Sequence, residues 1–369
     1  MSTLFTPITL RDLTLRNRAW VSPMCMYACE DPAAPGVVGA WHVAHYAQFA
    51  LGGAGLVLTE ATAVLPEGRV TPQDAGLWAD DHVAAWRTVT DAVHAVGGRI
   101  GVQLAHAGRK AGHYRNLPGD VTGTDPVGSV PLDDGGWVTL GASDRAFGDY
   151  VAPRAASGDD LRGVVAAFAD AARRAVAAGF DAVELHGAHG YLLHELLSPV
   201  TNDRTDDWGG SRAGRERLLL DAVRAVRAVL PDGTPLLVRL SVSDVAPGGL
   251  EAPDSALLAG RLAALGVDLV DCSSGGLVPG ADYRPSPGYQ VAGSAAVRAA
   301  GVPTAAVGLI DDPAHAEEVL ARGDADAVLL GRGMLRDPHW ARHAAVALDD
   351  GDGPREPRYH RAWRRTVLG

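Results

Sequence analysis

The sequence predicts a TIM (β/α)8 barrel with a long excursion after the third strand. Three observations predict it: eight short apolar runs recur along the chain, Ala-rich helical segments trail most of them, and the runs are mostly apolar rather than alternating. Uninterrupted apolarity suits parallel strands that are covered by helices on one face and packed into a barrel on the other. A length of 369 residues, 47% hydrophobic and 21% charged, holds one such barrel with insertions, so residues 1–369 are expected to form a single domain.

The runs, in order, are WVSPM from Trp20, LVLTEAT from Leu56, RIGVQLAH from Arg99, AVELHGAH from Ala182, PLLVRLS from Pro235, LVDCSSG from Leu269, PTAAVGLI from Pro303 and AVLLGRG from Ala327. Between them, HVAAWRTVTDAVHAVGG, LRGVVAAFADAARRAVAAGF and RERLLLDAVRAVRAVL carry apolar residues at three- and four-residue spacing, with Gly at several ends. A doubly wound sheet shows the same alternation, but the G-x-G-x-x-G turn after its first strand is missing. Residues 117–160 break the rhythm with Gly, Pro, Asp and Ser and no helical period. They read either as a capping insertion over the C-terminal face or as a plain surface loop, and residues 350–369 read as a C-terminal tail.

Composition excludes several classes. No basic segment leads into an apolar run at the start, and no uninterrupted run of about eighteen apolar residues occurs, so the protein is expected to be soluble and cytoplasmic, without a membrane span. Three cysteines leave at least one thiol without a partner in the chain and cannot build a dense disulfide framework. A formal charge of −11 repels phosphate backbones, so no nucleic-acid partner is expected.

Nearly every run ends in residues able to bond a ligand: Ser22 and Cys25, Thr59 and Glu60, Gln103 and His106, His186 and His189, Arg239, Ser273 and Ser274, then Arg332. In a barrel these ends converge on one mouth. Gly308, Gly331 and Gly333 let backbone amides approach an anion that Arg332 neutralises, which favours a phosphate over glycines serving tight turns alone. Arg239 needs an anionic partner: either a structural ion pair with Glu184 or a cofactor that turns negative on reduction. His186 and His189 can aim two N–H groups at one carbonyl oxygen while Tyr191 delivers a proton. The competing readings are a metal site adding His194, and satisfied structural histidines. Cys25 is a thiol placed to tune a redox cofactor, a pairing with Cys29 having no second cysteine pair to support it, and Cys272 reads as core.

Taken together, SPMCMY at Ser22–Tyr27, TEATAV at Thr59–Val64, QLAHAGRKA at Gln103–Ala111, HGAHGYLLHELLSPVTNDRTDDWGGS from His186, VRLSVSD from Val238 and LLGRGMLRDP from Leu329 resemble the Old Yellow Enzyme family. The likeness runs from about Leu13 to about Trp340. The cysteine in SPMCMY and the histidine pair in HGAHGY resemble its thermophilic-like branch. The resemblance implies bound FMN, reduced by NADPH or NADH, and reduction of the activated C=C bond of enones or nitroalkenes.

It also implies roles for particular residues. Ser22, Pro23, Met24 and Cys25 would line the flavin, with Ala61 and Gln103 facing the ring and Arg239 meeting its N1 and O2 side. Gly308, Gly331 and Arg332 would hold the phosphate. His186 and His189 would grip the substrate oxygen, Tyr191 would protonate Cα, and Tyr27 would shape the same pocket, with Lys110 near the flavin or the mouth. A homodimer or homotetramer is implied, with Arg361 of RYHRAW crossing into a neighbouring subunit. The alternatives are another FMN barrel of the dihydroorotate dehydrogenase kind, a tRNA dihydrouridine synthase and a non-catalytic phosphate binder. The acidic charge opposes the second, and the third gives no reason for His186, His189 and Tyr191 to stand together.

Overall fold

A computed structural model of the chain describes residues 2–115, 117, 128–351 and 353–363. Its strands begin with an antiparallel hairpin, β1 (Ile8–Leu10) and β2 (Leu13–Leu15). β3 (Ala19–Val21), β4 (Val57–Ala63) and β5 (Ile100–Ala105) open the barrel, and β6 (Leu140–Gly141) and β7 (Arg154–Ala155) form a small parallel pair inside the excursion. β8 (Ala182–Gly187), β9 (Leu236–Ser241), β10 (Leu269–Ser273), β11 (Thr304–Val307) and β12 (Ala327–Leu330) complete it. All eight barrel strands pair in parallel, and β12 joins β3 to close the ring, as the eight apolar runs predict.

The helices are α1 (Ala40–Leu51), α2 (Asp81–Ala95), α3 (Gly158–Ala177), α4 (Leu192–Leu197), α5 (Arg212–Arg227), α6 (Ala252–Ala264), α7 (Val291–Ala299), α8 (Pro313–Ala321), α9 (Arg332–Arg336) and α10 (Trp340–Ala347). α3 shows why such segments are helical. The Ser157 hydroxyl accepts from the Asp160 amide at 3.1 Å while the Asp160 carboxylate accepts from the Ser157 amide at 2.7 Å, which satisfies two amides at the helix start. Leu161, Val164, Phe168, Ala171, Ala172 and Ala175 then recur on one buried stripe.

Strand period divides the core in two. On β8, Val183 and Leu185 point outward into the layer shared with the helices, while Glu184 and His186 take the opposite face, toward the barrel axis. The floor of the barrel is a separate apolar cluster in which Leu10, Leu13 and Leu15 of the hairpin meet Trp20, Leu56, Leu58, Leu237, Leu269 and Leu329. Trp20 is fully buried there and donates its indole N–H to the Asn17 carbonyl at 3.0 Å. The hairpin is absent from the expected set of elements because its strands are three residues long, too short for a period to show.

The excursion leaves the barrel after β5. Of residues 117–160, those numbered 118–127 lie outside the described residues. The remainder rests on the loops that follow β4 and β5, with the Val130 amide on the Gly112 carbonyl at 2.8 Å and the Trp137 indole on the Glu67 carbonyl at 2.8 Å. Of the tail, residues 352 and 364–369 lie outside the described residues. Before them Tyr359 lies under the Arg342 guanidinium of α10, and Asp350 accepts from both the amide and the hydroxyl of Ser2. Among the described residues no helix is long and apolar enough to cross a membrane.

Candidate active site

The C-terminal ends of the strands assemble one polar site. Ser22 ends β3 with its amide on the Leu330 carbonyl of β12 at 3.0 Å, and Pro23, Met24 and Cys25 follow across the mouth, each half-buried. Tyr27, at φ +58°, turns that loop back. Cys25, Tyr27 and Tyr191 pack with Trp137 against Val70, Ala107 and Ala111, so residues from five separate stretches of sequence share one cluster. Burial, then the nearby Asp74 and Glu60 carboxyls, push the Cys25 thiol well above its ordinary pKa, so it is a neutral S–H donor. Cys25 and Cys29 are both free, and Cys272 is fully buried core.

Two of the candidate polar residues turn away from the mouth, Glu60 of β4 and His194 of α4. The β4–β5 register shifts between Leu58 and Ala61, which brings Ala61 opposite Gln103. Glu60 sits behind the Cys25 loop, where its carboxylate accepts from the Tyr46 hydroxyl at 2.9 Å and the Met26 amide at 3.1 Å. Burial raises its pKa to about 7, against the pull of the Met26 amide. His194 is also spent, with Nε2 at 2.7 Å from Asp244 Oδ1 and Nδ1 accepting from the Gly190 amide. Both ring nitrogens are committed, which removes it from the metal set of the competing reading.

The histidine pair stands at the mouth. His186 Nε2 and His189 Nδ1 are 3.3 Å apart, and His189 Nε2 lies 2.7 Å from the Ser273 hydroxyl, which in turn reaches Gln290 Oε1 at 3.2 Å. His189 has φ +59°, and the next residue, Gly190 at φ +72°, has no room for a side chain, since a Cβ would lie 2.4 Å from the Gly276 carbonyl. Burial, then the charge of Arg239, hold both imidazoles well below their ordinary pKa, so both are neutral. The Tyr191 ring centroid is 4.7 Å from that of His186, and burial keeps its phenol protonated. Lys110 donates to the carbonyls of His189 and Gly276, and its ammonium lies 4.5 Å from the Phe147 ring of the excursion.

Beneath this, Arg239 points along the barrel axis. Its expected ion pair with Glu184 is not formed. Asp271 on the adjacent strand holds the Arg239 Nε at 3.2 Å, because β9 and β10 pair residue 239 directly with 271, while Ser22 Oγ accepts from Nη1 at 3.2 Å. Glu184 instead accepts from the Gln103 amide at 2.7 Å. Asp271 was signalled by a charged residue inside the apolar LVDCS run; Gln290, on the loop before α7, carried no signal.

Whether FMN fits can be judged from these residues. Glu184 Oε2, Arg239 Nε and both Asp271 carboxylate oxygens are buried without a hydrogen-bond partner, a polar surface suited to a ring that carries its own donors and acceptors. At the other end Gly308, at φ +127°, and Gly331 line a cradle that side chains would fill, since Cβ atoms there would stand 3.0 Å from Tyr289 and 3.3 Å from Met24. Arg332 is exposed beside them, with no ion-pair partner among the described residues. The residues fit a flavin with a terminal phosphate. Gly333 serves another purpose, since a Cβ would collide with Asp311 at 2.7 Å. Arg361 is exposed on the turn Pro357–Trp363 and is not part of this cluster.

Comparison with known proteins agrees with the geometry. The model of the NADH:flavin oxidoreductase / NADH oxidase family matches residues 3–350. An NADPH dehydrogenase of Bacillus velezensis is 43% identical over 361 residues, covering 98% of this chain and 99% of the relative, and one of Geobacillus thermodenitrificans is 44% identical over 363 residues, covering 98% of each. Among solved structures, morphinone reductase superposes with a TM-score of 0.77 at 28% identity, covering 97% of this chain and 92% of that one. A 2-naphthoyl-CoA reductase superposes with a TM-score of 0.79 at 25% identity; the match covers 94% of this chain and 52% of that one. The chain belongs to the NADH:flavin oxidoreductase / NADH oxidase family, the Old Yellow Enzymes, and is an FMN-dependent oxidoreductase.

Proposed function

We propose that the protein is an NADPH dehydrogenase that passes the electrons to activated alkenes, an ene-reductase for enones and nitroalkenes. The observation that carries this reading is the meeting of His186, His189 and Tyr191 at the mouth of a flavin-type barrel. The relatives named NADPH dehydrogenase support the choice of nicotinamide.

Bound FMN supplies a hydride from N5. Everything else is the work of side chains. His186 and His189, both neutral, donate N–H groups to the carbonyl or nitro oxygen and draw electron density from the alkene, so that Cβ becomes electrophilic. Tyr191, a protonated phenol, gives its proton to Cα. Ser22, Pro23, Met24 and Cys25 line the flavin, Ala61 and Gln103 face its ring, Arg239 supplies positive charge to its N1 side, and Gly308, Gly331 and Arg332 hold the phosphate. Tyr27 closes the pocket beside Cys25. Residues 128–160 cap the mouth as part of a single domain, Phe147 and Tyr150 approaching it from that side.

Assembly as a homodimer or homotetramer, with Arg361 reaching a neighbouring subunit's mouth, belongs to the same reading; its support is the exposure of Arg361 on a turn outside its own cluster. The test is anaerobic. Purified protein is expected to be yellow, to bleach with NADPH and to regain colour on adding cyclohexenone or a maleimide. Protein that bleaches but is reoxidised by none of a panel of enones, nitroalkenes and maleimides would overturn the alkene assignment. Sedimentation of wild type and Arg361→Ala, with substrate KM for each, tests the crossing arginine; a monomer with an unchanged KM would sink it.

A further inference from the structure

Three acidic or basic side chains inside the barrel have more charge than partners. Glu184 on β8, Arg239 on β9 and Asp271 on β10 all point toward the barrel axis, and none is more than 5% exposed. Glu184 keeps one oxygen on Gln103 and Asp271 Oδ2 stands 3.2 Å from Arg239 Nε as an ion pair, but the second Glu184 oxygen has no hydrogen-bond partner and neither Asp271 oxygen nor Arg239 Nε completes a hydrogen bond. With both carboxyls ionised, two negative charges would face one guanidinium in a dry interior, leaving a buried charge uncompensated. One shared proton removes it. Burial raises both carboxyls, and repulsion from Asp271 raises Glu184 further, against the pull of Arg239.

We propose that Glu184 and Asp271 form a proton-accepting pair that binds one proton from solvent each time the flavin is reduced and releases it on reoxidation. The inference rests on FMN lying above Arg239, as in the proposed function. A nicotinamide C–H bond breaks and its hydride, two electrons with one proton, forms an N–H bond on the flavin, leaving a negative charge on the side that Arg239 faces. That charge competes with Asp271 for the one guanidinium. The carboxyl pair, already sharing one proton and now with less of Arg239 to itself, gains a second O–H bond from a solvent proton, so two electrons and two protons enter together. When the hydride leaves, the charge goes and the carboxyl proton returns to solvent.

The groups facing the pair are few. Gln103 approaches from β5, Arg239 from β9 and, through its bond to Arg239, Ser22 from the end of β3. The other titratable groups that feel Arg239 or Asp271 are His186, His189, Cys25, Cys272 and Tyr289. Burial holds both imidazoles neutral and keeps both thiols and the phenol protonated, so none of them takes up this proton near neutral pH.

The test is a spectroelectrochemical titration of the flavin-loaded protein from about pH 6 to about pH 9, where raised carboxyls titrate. Each proton bound on a two-electron reduction shifts the equilibrium tenfold per pH unit, or about 30 mV. Wild type is expected to approach about 60 mV per pH unit over part of this range while its reduced flavin keeps the absorption spectrum of the anion. The double variant Glu184→Gln/Asp271→Asn, which keeps shape but leaves no carboxyl to take the proton, is expected to fall back toward about 30 mV. A wild-type slope of about 30 mV throughout, or a steep slope that survives the double substitution, overturns the proposal. If the variant does not fold, the wild-type spectrum decides: a steep slope with a neutral reduced flavin places the second proton on the cofactor and refutes the pair. Protein that neither holds nor takes up FMN would instead refute the reading on which the inference rests.

Discussion

His186 Nε2 and His189 Nδ1 face one another at 3.3 Å, and the surrounding hydrogen bonds determine which of them carries the proton. The Ala188 amide donates to His186 Nδ1 at 3.2 Å, so His186 is protonated at Nε2 and donates to His189. His189 then carries its proton on Nε2 and gives it to Ser273, whose hydroxyl donates to Gln290 Oε1. The Gln290 amide ends the chain on the Val307 carbonyl at 2.9 Å. A substrate oxygen seated between the two rings needs a donor from each. His189 must therefore move its proton to Nδ1, and Ser273 must reverse to donate to Nε2.

The pair can be probed with phenols, whose oxygen would take the same seat. His186→Ala is expected to weaken phenol binding by roughly tenfold or more, the loss of one to three kcal/mol carried by a hydrogen bond to a charged oxygen. Ser273→Ala, which removes the hydroxyl that supports the Nδ1 proton, is expected to weaken it by about fivefold, near 1 kcal/mol. Titration of the long-wavelength flavin band measures both. Unchanged affinity in His186→Ala would rule out the shared seat.

Tyr191→Phe keeps the ring packed beside His186 but removes its proton. Reduction by NADPH is expected to stay within about twofold of wild type, while reoxidation by cyclohexenone slows by about 10² to 10⁴. Stopped-flow traces of the two half-reactions separate them. Equal slowing of both would mean the phenol acts on binding or structure and not as the proton donor.

Because Cys25 is a neutral thiol, it can offer the flavin an S–H bond but no charge. Cys25→Ala is expected to move the flavin midpoint potential by about 30 mV or more, the equivalent of about 1.4 kcal/mol. Potentiometry at a single pH suffices, and an unmoved potential excludes a tuning role.

Glu60 gives a pH signature. Its folded pKa, about 7, lies above the ordinary value of 4.5, so its contribution to stability is complete below about pH 4.5 and is lost as pH rises through 7. Glu60→Gln cannot lose it. The stability difference is therefore expected to move in favour of the variant by up to about 3 kcal/mol between about pH 4.5 and pH 8. Denaturant unfolding at several pH values measures the difference, and a constant gap would show that Glu60 does not titrate behind the Cys25 loop.

Much of this was legible in the residues themselves. The barrel strands are buried on both faces, so their apolar runs stand out, and each run corresponds to one strand of the ring. The mouth was legible because strand ends that could stop in turn residues stop in Ser22, Gln103, His186 and Arg239. Partnerships were not. Which carboxylate meets Arg239 depends on the register of β9 against β10, and no local pattern encodes register across separate strands. Glu60 looked like a mouth residue because nothing in TEATAV marks the irregularity that rotates it behind the loop. The short hairpin of Ile8–Leu15 left no periodic trace at all.

That hairpin works as a stopper. It is tied to the loops ahead of β9 and β10, where the Asp12 amide meets the Gly233 carbonyl and Arg11 clasps Asp268 at 2.7 Å, and it brings leucines from the start of the chain against Leu329 near its end. A chain shorn of its first sixteen residues would leave the underside of that floor, Trp20, Leu56, Leu58, Leu237, Leu269 and Leu329, bare to water, an apolar patch with nothing to seat it.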